Sequence, residues 1–396
     1  MTHLFKLDNV IQDYIWGSKT SIASLFEIEN TENAHQAEIW MGAHPNGCSK
    51  RDNDKALLSE LIKAQPEAFL GQRTTEQYGE LPYLLKVLAA AKPLSIQVHP
   101  EKSRAAAGFE NENQAGIPVT AGNRNYKDPN HKPELVYALT PYLAMNGFRV
   151  FEEIISLFEQ ASVPSLETEL AALKANPESS QLKAFFEAVM SLEGEARDTA
   201  LAELLENIDS KGQTELAKQA FAMVVEFHAE YPTDIGLFAP LMLNLIELQP
   251  GEAMFLFAET PHAYLRGTGM EIMANSDNVL RAGLTPKFID VPELIDNTKF
   301  EPIPFDTLKT APVVEGYRTC FPVPVEDFKI DILTSTDQAA SLNTESGEIL
   351  FCLTGNVTVK TGQESVVLKS GESVFVPFAA GEYQFEGEGQ LVRAYN

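Results

Sequence analysis

Ile349-Leu-Phe-Cys-Leu353, Val357-Thr-Val-Lys360, Val366-Val-Leu368 and Val374-Phe-Val376 are four short runs rich in β-branched and aromatic residues. The glycine turns Thr354-Gly355-Asn356 and Ser370-Gly371-Glu372 separate them. Runs of this length bounded by glycine read as strands, and their regular spacing is that of a sandwich or jelly roll. Working back along the chain, Leu241-Met-Leu-Asn-Leu-Ile-Glu-Leu248 runs into Pro250-Gly251 and then Ala253-Met-Phe-Leu-Phe257. Leu248-Gln-Pro-Gly-Glu252 and Leu368-Lys-Ser-Gly-Glu372 form a weak internal repeat. Each is a turn followed by a strand and a proline, Pro261 in one and Pro377 in the other. Two jelly rolls of common design would explain it. Leu84-Leu-Lys-Val-Leu88 and Leu94-Ser-Ile-Gln-Val-His99 also read as apolar strand.

Between these β regions the period changes. Leu182, Phe185, Phe186, Val189 and Met190 recur at helical spacing, as do Leu201, Leu204, Leu205 and Ile208, and then Leu216, Ala220, Phe221, Val224 and Val225. Pro164, Pro177 and Ser210-Lys211-Gly212 punctuate the block, which predicts four or five helices. If 81–100 and 241–262 share one sheet, this block is an insertion into it. That reading is preferred to three consecutive domains because metal-type residues lie on both sides of the block. The expected fold class is therefore mainly β with an α insert. A catalytic unit spans 1–150 plus 241–315, a helical unit spans 151–240, and a C-terminal jelly roll spans 316–396.

The chain has 396 residues, 56 acidic and 30 basic, for a formal charge of −26. Such a balance excludes a general nucleic-acid binder and opposes adhesion to anionic membranes. Cys48, Cys320 and Cys352 are sparse and lack CxxC spacing, so neither a disulfide framework nor thiolate metal chemistry is expected. No basic region followed by an apolar run opens the chain, and no stretch of 18 apolar residues occurs. The expectation is a cytoplasmic protein, monomeric or weakly dimeric. The charge is uneven. Residues 81–150 carry 8 basic and 5 acidic groups, whereas 151–240 carry 5 and 17. The one net-positive block points to where an anionic ligand would sit.

That block also holds ligand-type residues. Gln97 and His99 are two apart in an apparent strand, so both face one side. Glu134 lies in His131-Lys-Pro-Glu134, and His262 follows the turn Thr260-Pro261. Two imidazoles, a carboxylate and an amide oxygen make a plausible metal site with room for water. Zinc leads, with Mn, Fe or Co also compatible. His3, His35 and His228 have no such context, and His44 reads as loop packing.

Tyr126-Lys-Asp-Pro-Asn-His-Lys-Pro-Glu134 resembles a signature of the type I mannose-6-phosphate isomerases. The 26-residue run from His262 to Lys287, His-Ala-Tyr-Leu-Arg-Gly-Thr-Gly-Met-Glu-Ile-Met-Ala-Asn-Ser-Asp-Asn-Val-Leu-Arg-Ala-Gly-Leu-Thr-Pro-Lys, resembles a second. Leu94–Pro100, Ala37-Glu-Ile-Trp-Met-Gly42 and Asp13-Tyr-Ile-Trp-Gly17 are similar to that family too. The resemblance implies a cupin with a helical insert and a second, degenerate cupin. It also implies one zinc held by Gln97, His99, Glu134 and His262, and interconversion of mannose 6-phosphate and fructose 6-phosphate.

Such an isomerase must remove a proton α to a carbonyl and return it to the neighbouring carbon through a cis-enediolate. Lys132, two residues before Glu134, is the proton-transfer candidate, because a lysine beside a divalent cation loses its proton more readily. Glu271 is the partner acid/base or a group that aligns sugar hydroxyls. Arg281 would stabilise enediolate or phosphate charge, a role with which an i,i+4 ion pair to Asp277 could coexist. Ser95, Lys86 and Lys287 are the phosphate candidates. Lys86 is chosen because an unpaired charge in an apolar strand is costly. Trp16, Glu38 and Tyr264 would line the sugar pocket. Two other readings compete: another metal-dependent cupin enzyme, and a non-catalytic sugar-phosphate-binding cupin.

Overall fold

The computed structural model describes residues 4–208, 214–362 and 364–396, so His3 and the Ser210-Lys211-Gly212 break lie outside the described residues. The strand Tyr83–Ala90 is buried along its whole length. Tyr83, Leu85, Val87 and Ala89 enter a core shared with Phe5, Phe69, Ile349 and Phe375, while Leu88 and Ala90 enter another with Val136, Tyr142 and Tyr264. A strand covered on both faces loses the apolar/polar alternation, which is why it reads as one continuous apolar run.

Ten antiparallel strands make the first sheet. Val10–Gln12, Glu38–Gly42, Tyr83–Ala90, His262–Ala274, Glu134–Ala138 and Ala253–Leu256 lie side by side. His262–Ala274 serves two layers. Its second half pairs with Tyr83–Ala90 and Glu134–Ala138, and its first half with Ile96–Val98 and Tyr142–Phe148. The crossing falls at Gly267, whose φ is +124°. A Cβ there would lie 2.5 Å from the Pro141 carbonyl oxygen, so only glycine fits. The two layers close into a jelly roll.

The chain leaves this roll after Tyr142–Phe148 and returns at Leu243–Leu248, the neighbouring strand of the same layer. Between them, among the described residues, run five helices of nine or more residues, Phe151–Ala161, Glu167–Ala175, Ser179–Met190, Gly194–Asn207 and Glu215–Glu230, and the short Ala239–Met242. Phe185, Phe186, Val224 and Phe227 pack in one core with Ile96, Val98, Met145 and Phe148 of the sheet. Val225, read from the sequence as apolar periodicity, instead faces solvent. The helical block is thus an insertion that backs the strand carrying Gln97.

Eleven strands make the second sheet, around Lys329–Ser335, Glu348–Thr361, Ser373–Val376 and Gly389–Tyr395. The internal repeat is visible in both rolls. Gln249 N donates to Glu252 Oε2 at 2.9 Å, and Lys369 N donates to Glu372 Oε2 at 2.8 Å. The glycine between them has φ +95° at Gly251 and +84° at Gly371.

Three short strands from the span 1–150 plus 241–315 lie in the second sheet. Phe5–Asp8 pairs with Ser373–Val376, and Lys50–Arg51 pairs with Phe5–Asp8. Val313–Glu315 pairs with Arg318–Cys320. These short strands complete the second sheet and cover edges that would otherwise expose unpaired backbone. Among the described residues no helix is long and apolar enough to cross a membrane.

Candidate metal centre and active site

Ile96 and Val98 point into the core shared with the helices, so Gln97, between them, points the other way. Gln97 lies opposite both His262 and Arg281, and His262 lies opposite Asn146. Residues opposed on adjacent antiparallel strands share a face. Arg281, Gln97, His262 and Asn146 therefore form a row across one layer. Glu134 comes from the first strand position of Glu134–Ala138.

Ligand-type atoms of His99, Glu134 and His262 lie within 4.8 Å of one another, and all three residues are buried. His99 Nδ1 donates to the Asn278 carbonyl at 2.7 Å, and His262 Nδ1 donates to the Thr260 carbonyl at 2.9 Å. A carbonyl only accepts, so each ring turns an unprotonated Nε2 inward, toward Glu134 at 3.3 and 3.6 Å. His99 Nε2 is buried without a hydrogen bond, its approach to Glu134 being close but not aligned as one. Burial, then the Lys132 charge, push the His99 imidazole down to about 4. Burial works against the Glu134 carboxylate, but Lys132, His99 and His262 together hold it well below the usual range. A neutral imidazole whose lone pair is turned toward an ionised carboxylate is the form in which these groups bind a metal. The donor set fits zinc.

Lys132 Nζ sits 3.1 Å from Glu134 Oε1, and the Tyr264 hydroxyl donates to Glu134 Oε2 at 3.3 Å. Behind them, Lys86 Nζ donates to Glu271 Oε2 at 2.8 Å and approaches Glu38 Oε1 at 3.4 Å. Glu271 and Lys86 are directly opposed on adjacent strands. Burial disfavours the Lys86 ammonium, but Glu271 and Glu38 outweigh it and raise its pKa. The premise that Lys86 is unpaired is thus corrected: it is buried between two carboxylates. Burial pushes the Glu271 carboxyl up, with the Lys86 charge opposing.

Arg281 is half-buried, with no ion pair among the described residues, and burial pulls its pKa down. The pairing with Asp277 is not seen. Leu280–Gly283 is a strand, where i,i+4 spacing does not bring side chains together, and Asp277 instead meets His44 Nε2 at 3.4 Å and Asn46 Nδ2 at 3.0 Å. Lys287 is exposed. Its pKa falls through partial burial and then through the charge of Arg281, and Lys127 is shifted by the same causes. Ser95 is half-buried immediately before Ile96–Val98. Trp16 stacks on Tyr14 at 5.7 Å and packs on the apolar core of the first roll that includes Leu88 and Tyr264.

Three contributors were not singled out from sequence. Trp40 donates to Glu38 Oε2 at 2.9 Å and its ring lies 5.2 Å from Lys86 Nζ, so it contacts both members of that ion pair. Its signal was its i+2 spacing from Glu38. Asn146 is buried with Oδ1 unpartnered. Asn278 supplies the His99 carbonyl partner, and nothing in its residue type announces that.

Models of the type I phosphomannose isomerase catalytic domain, helical insertion domain and mannose-6-phosphate isomerase cupin domain match residues 4–151, 154–243 and 317–396. The mannose-6-phosphate isomerase of Escherichia coli strain K12 is 48% identical over 394 residues, 99% of each chain. The human mannose-6-phosphate isomerase is 34% identical over 406 residues, covering 94% of this chain and 93% of its own. A crystal structure of the Salmonella typhimurium mannose 6-phosphate isomerase, bound to fructose 6-phosphate and zinc, superposes with a TM-score of 0.93 at 46% identity over 99% of each chain. With this site geometry and these matches along its whole length, the chain belongs to the type I phosphomannose isomerase family.

Proposed function

We propose that this chain is a zinc-dependent aldose–ketose isomerase interconverting D-mannose 6-phosphate and D-fructose 6-phosphate. One observation supports this above the others. The metal-type trio has Lys132 within 3.1 Å of it, and the strand row that carries His262 also carries Arg281, a cation without an acidic partner among the described residues. Metal binding alone requires neither.

Zinc held by Gln97, His99, Glu134 and His262 would supply Lewis acidity and fixed positive charge beside the sugar oxygens. Removal of the C2 proton from the open-chain aldose leaves a cis-enediolate, and delivery of a proton to C1 gives the ketose. We assign Lys132 as the group that moves this proton. Glu271 is engaged by Lys86 at 2.8 Å, so we assign it, with Glu38 and Tyr264, to orienting sugar hydroxyls. Arg281 places a fixed cation against the developing oxyanion, and Lys287 and Ser95 take the phosphate. These assignments make residues 1–150 and 241–315 the catalytic part, with 151–240 as its support and 316–396 as its base. Every group named comes from one chain, so a monomer or weak dimer suffices. Three free cysteines suit a reducing, cytoplasmic setting.

The test is turnover of mannose 6-phosphate to fructose 6-phosphate by the zinc-loaded protein, with and without chelator. No product from the loaded protein would sink the proposal. Lys132→Ala should keep its zinc and lose roughly 10²- to 10⁴-fold in kcat. Full activity in that variant would remove Lys132 from the mechanism.

A further inference from the structure

The two segments that carry the family resemblance, Tyr126–Glu134 and His262–Lys287, meet at a pair of interlocked side chains. Asn278 is fully buried. Its Oδ1 accepts from the backbone N–H of Lys127 at 2.6 Å and of Asp128 at 3.2 Å. Its Nδ2 donates to the carbonyls of Asp128 at 2.7 Å and Asn130 at 2.8 Å, with a longer contact to Asp128 Oδ1 at 3.3 Å. A side-chain amide offers two lone pairs and two protons, and all four are used. Asp128 returns the grip. Its Oδ2 accepts from Asp277 N at 2.7 Å and its Oδ1 from Asn130 N at 2.9 Å. The backbone carbonyl of Asn278, meanwhile, holds His99 Nδ1 at 2.7 Å.

Residues 126–133 and 275–279 belong to no strand or helix, so no ladder fixes either stretch. Lys132 follows Asn130 by two residues, and Arg281 follows Asn278 by three. We infer that Asn278 and Asp128 are positioning residues, a reciprocal clasp that sets Lys132 and Arg281 in register with each other and with the metal ligand His99. The inference rests on the isomerase reading above. Neither side chain is required to touch substrate. Their effect is exerted through the backbone that carries the groups which do.

The clasp separates two functions of one residue. His99 is held by the backbone of Asn278, which any substitution retains, whereas the Lys132 loop is held by its side chain. The test compares the zinc-loaded full chain with Asn278→Ala, Asn278→Asp and Asp128→Ala. Zinc should stay at one per chain in all three. Expected is a fall in kcat of roughly 10- to 100-fold, as for lost outer-shell partners and small misplacements, with KM shifted by less than about threefold. Asn278→Asp should lose at least as much as the alanine, because its second oxygen faces two carbonyls. Hydrogen exchange over 127–133 should quicken by about tenfold or more in the Asn278 variants, independently of turnover. Unchanged kcat at full zinc occupancy overturns the inference, even if the variants melt earlier. Should the Asn278 variants fail to fold, Asp128→Ala, in a partly exposed loop, decides alone by the same criterion. A wild-type chain without turnover would fail the functional reading instead, a result distinct from an active wild type matched by its variants.

Discussion

The two jelly rolls share a turn built from the same Gly-Glu element, and each buries a cluster of charge, but the clusters end differently. In the C-terminal roll, Arg393 is 1% exposed and donates to both oxygens of Glu348, at 2.8 and 2.6 Å. Tyr383 caps Glu348 at 2.8 Å, and Arg318 reaches Asp331 at 2.9 Å. The Arg393 guanidinium lies 4.0 Å from the Tyr395 ring centre. Every charge there meets an opposite charge, and the network closes on itself. In the catalytic roll, His99 Nε2 and Asn146 Oδ1 are left without hydrogen bonds, and Arg281 has no acidic partner among the described residues. Buried charge is thus common to structure and to chemistry. The second roll also leaves the Ser335 hydroxyl unbonded, but that group is neutral; what marks the site is an unbonded imidazole nitrogen in a metal-type trio with an unpaired guanidinium in the same strand row.

The strongest way to break the comparison is Glu134→Gln. It removes the only carboxylate of the metal trio, and loss of the cation's several kcal/mol of transition-state stabilisation predicts about a thousandfold or greater fall in kcat with loss of bound zinc. Metal analysis alongside kinetics checks it, and a variant that keeps both zinc and turnover would show that the trio is not the centre. In the other roll, Arg393→Met should cost about 3–5 kcal/mol of unfolding free energy by stranding the buried Glu348 carboxylate. Urea unfolding reads that loss, while kcat per folded molecule should hold within about twofold. A fall in kcat without loss of stability would assign the second cluster a catalytic part.

Smaller effects sharpen the same line. Lys287→Ala should raise KM for the sugar phosphate by about tenfold at low salt, with kcat little changed. The difference should shrink as salt rises, because Lys287 is exposed and screened. Smallest of all is the response of Cys352. Burial pushes its thiol up to about 11, so at pH 8 almost none is thiolate. Iodoacetamide on the folded protein should label Cys48 and Cys320, both partly exposed, well before Cys352. Equal labelling would mean that the second roll opens far more readily than its packing implies.

The β architecture was legible because strand, turn and glycine occur at short range in the sequence, and the helical block because its apolar period is 3.6. The site was legible wherever a residue type carries its own chemistry: His99, His262, Glu134, Lys132, Arg281. Two kinds of information stayed hidden. Lys86 looked unpaired because its carboxylates, Glu271 and Glu38, lie on neighbouring strands, and pairing across strands leaves no local trace. Asn278 looked ordinary because its partners are backbone groups, which every residue possesses. The exchange of Phe5–Asp8 into the second sheet was invisible for the first of these reasons, at the longest range in the chain.

That exchanged strand sets an order of events during synthesis. Phe5 is opposite Phe375, and the two rings stack with centres 5.5 Å apart. At about 5–20 residues per second, some 20 to 70 s separate the making of the two strands. Through that interval Phe5 and Leu7 are apolar side chains without their partner, and the catalytic roll above them lacks its finished base. A growing chain can therefore assemble the metal-ligand layer early, but Phe5–Asp8 has only the two-residue strand Lys50–Arg51 to pair with, among its sheet neighbours, until Ser373–Val376 has been made. Translation arrested before that point would leave a polypeptide with all its ligands and a loose end, an obvious substrate for chaperones and proteases.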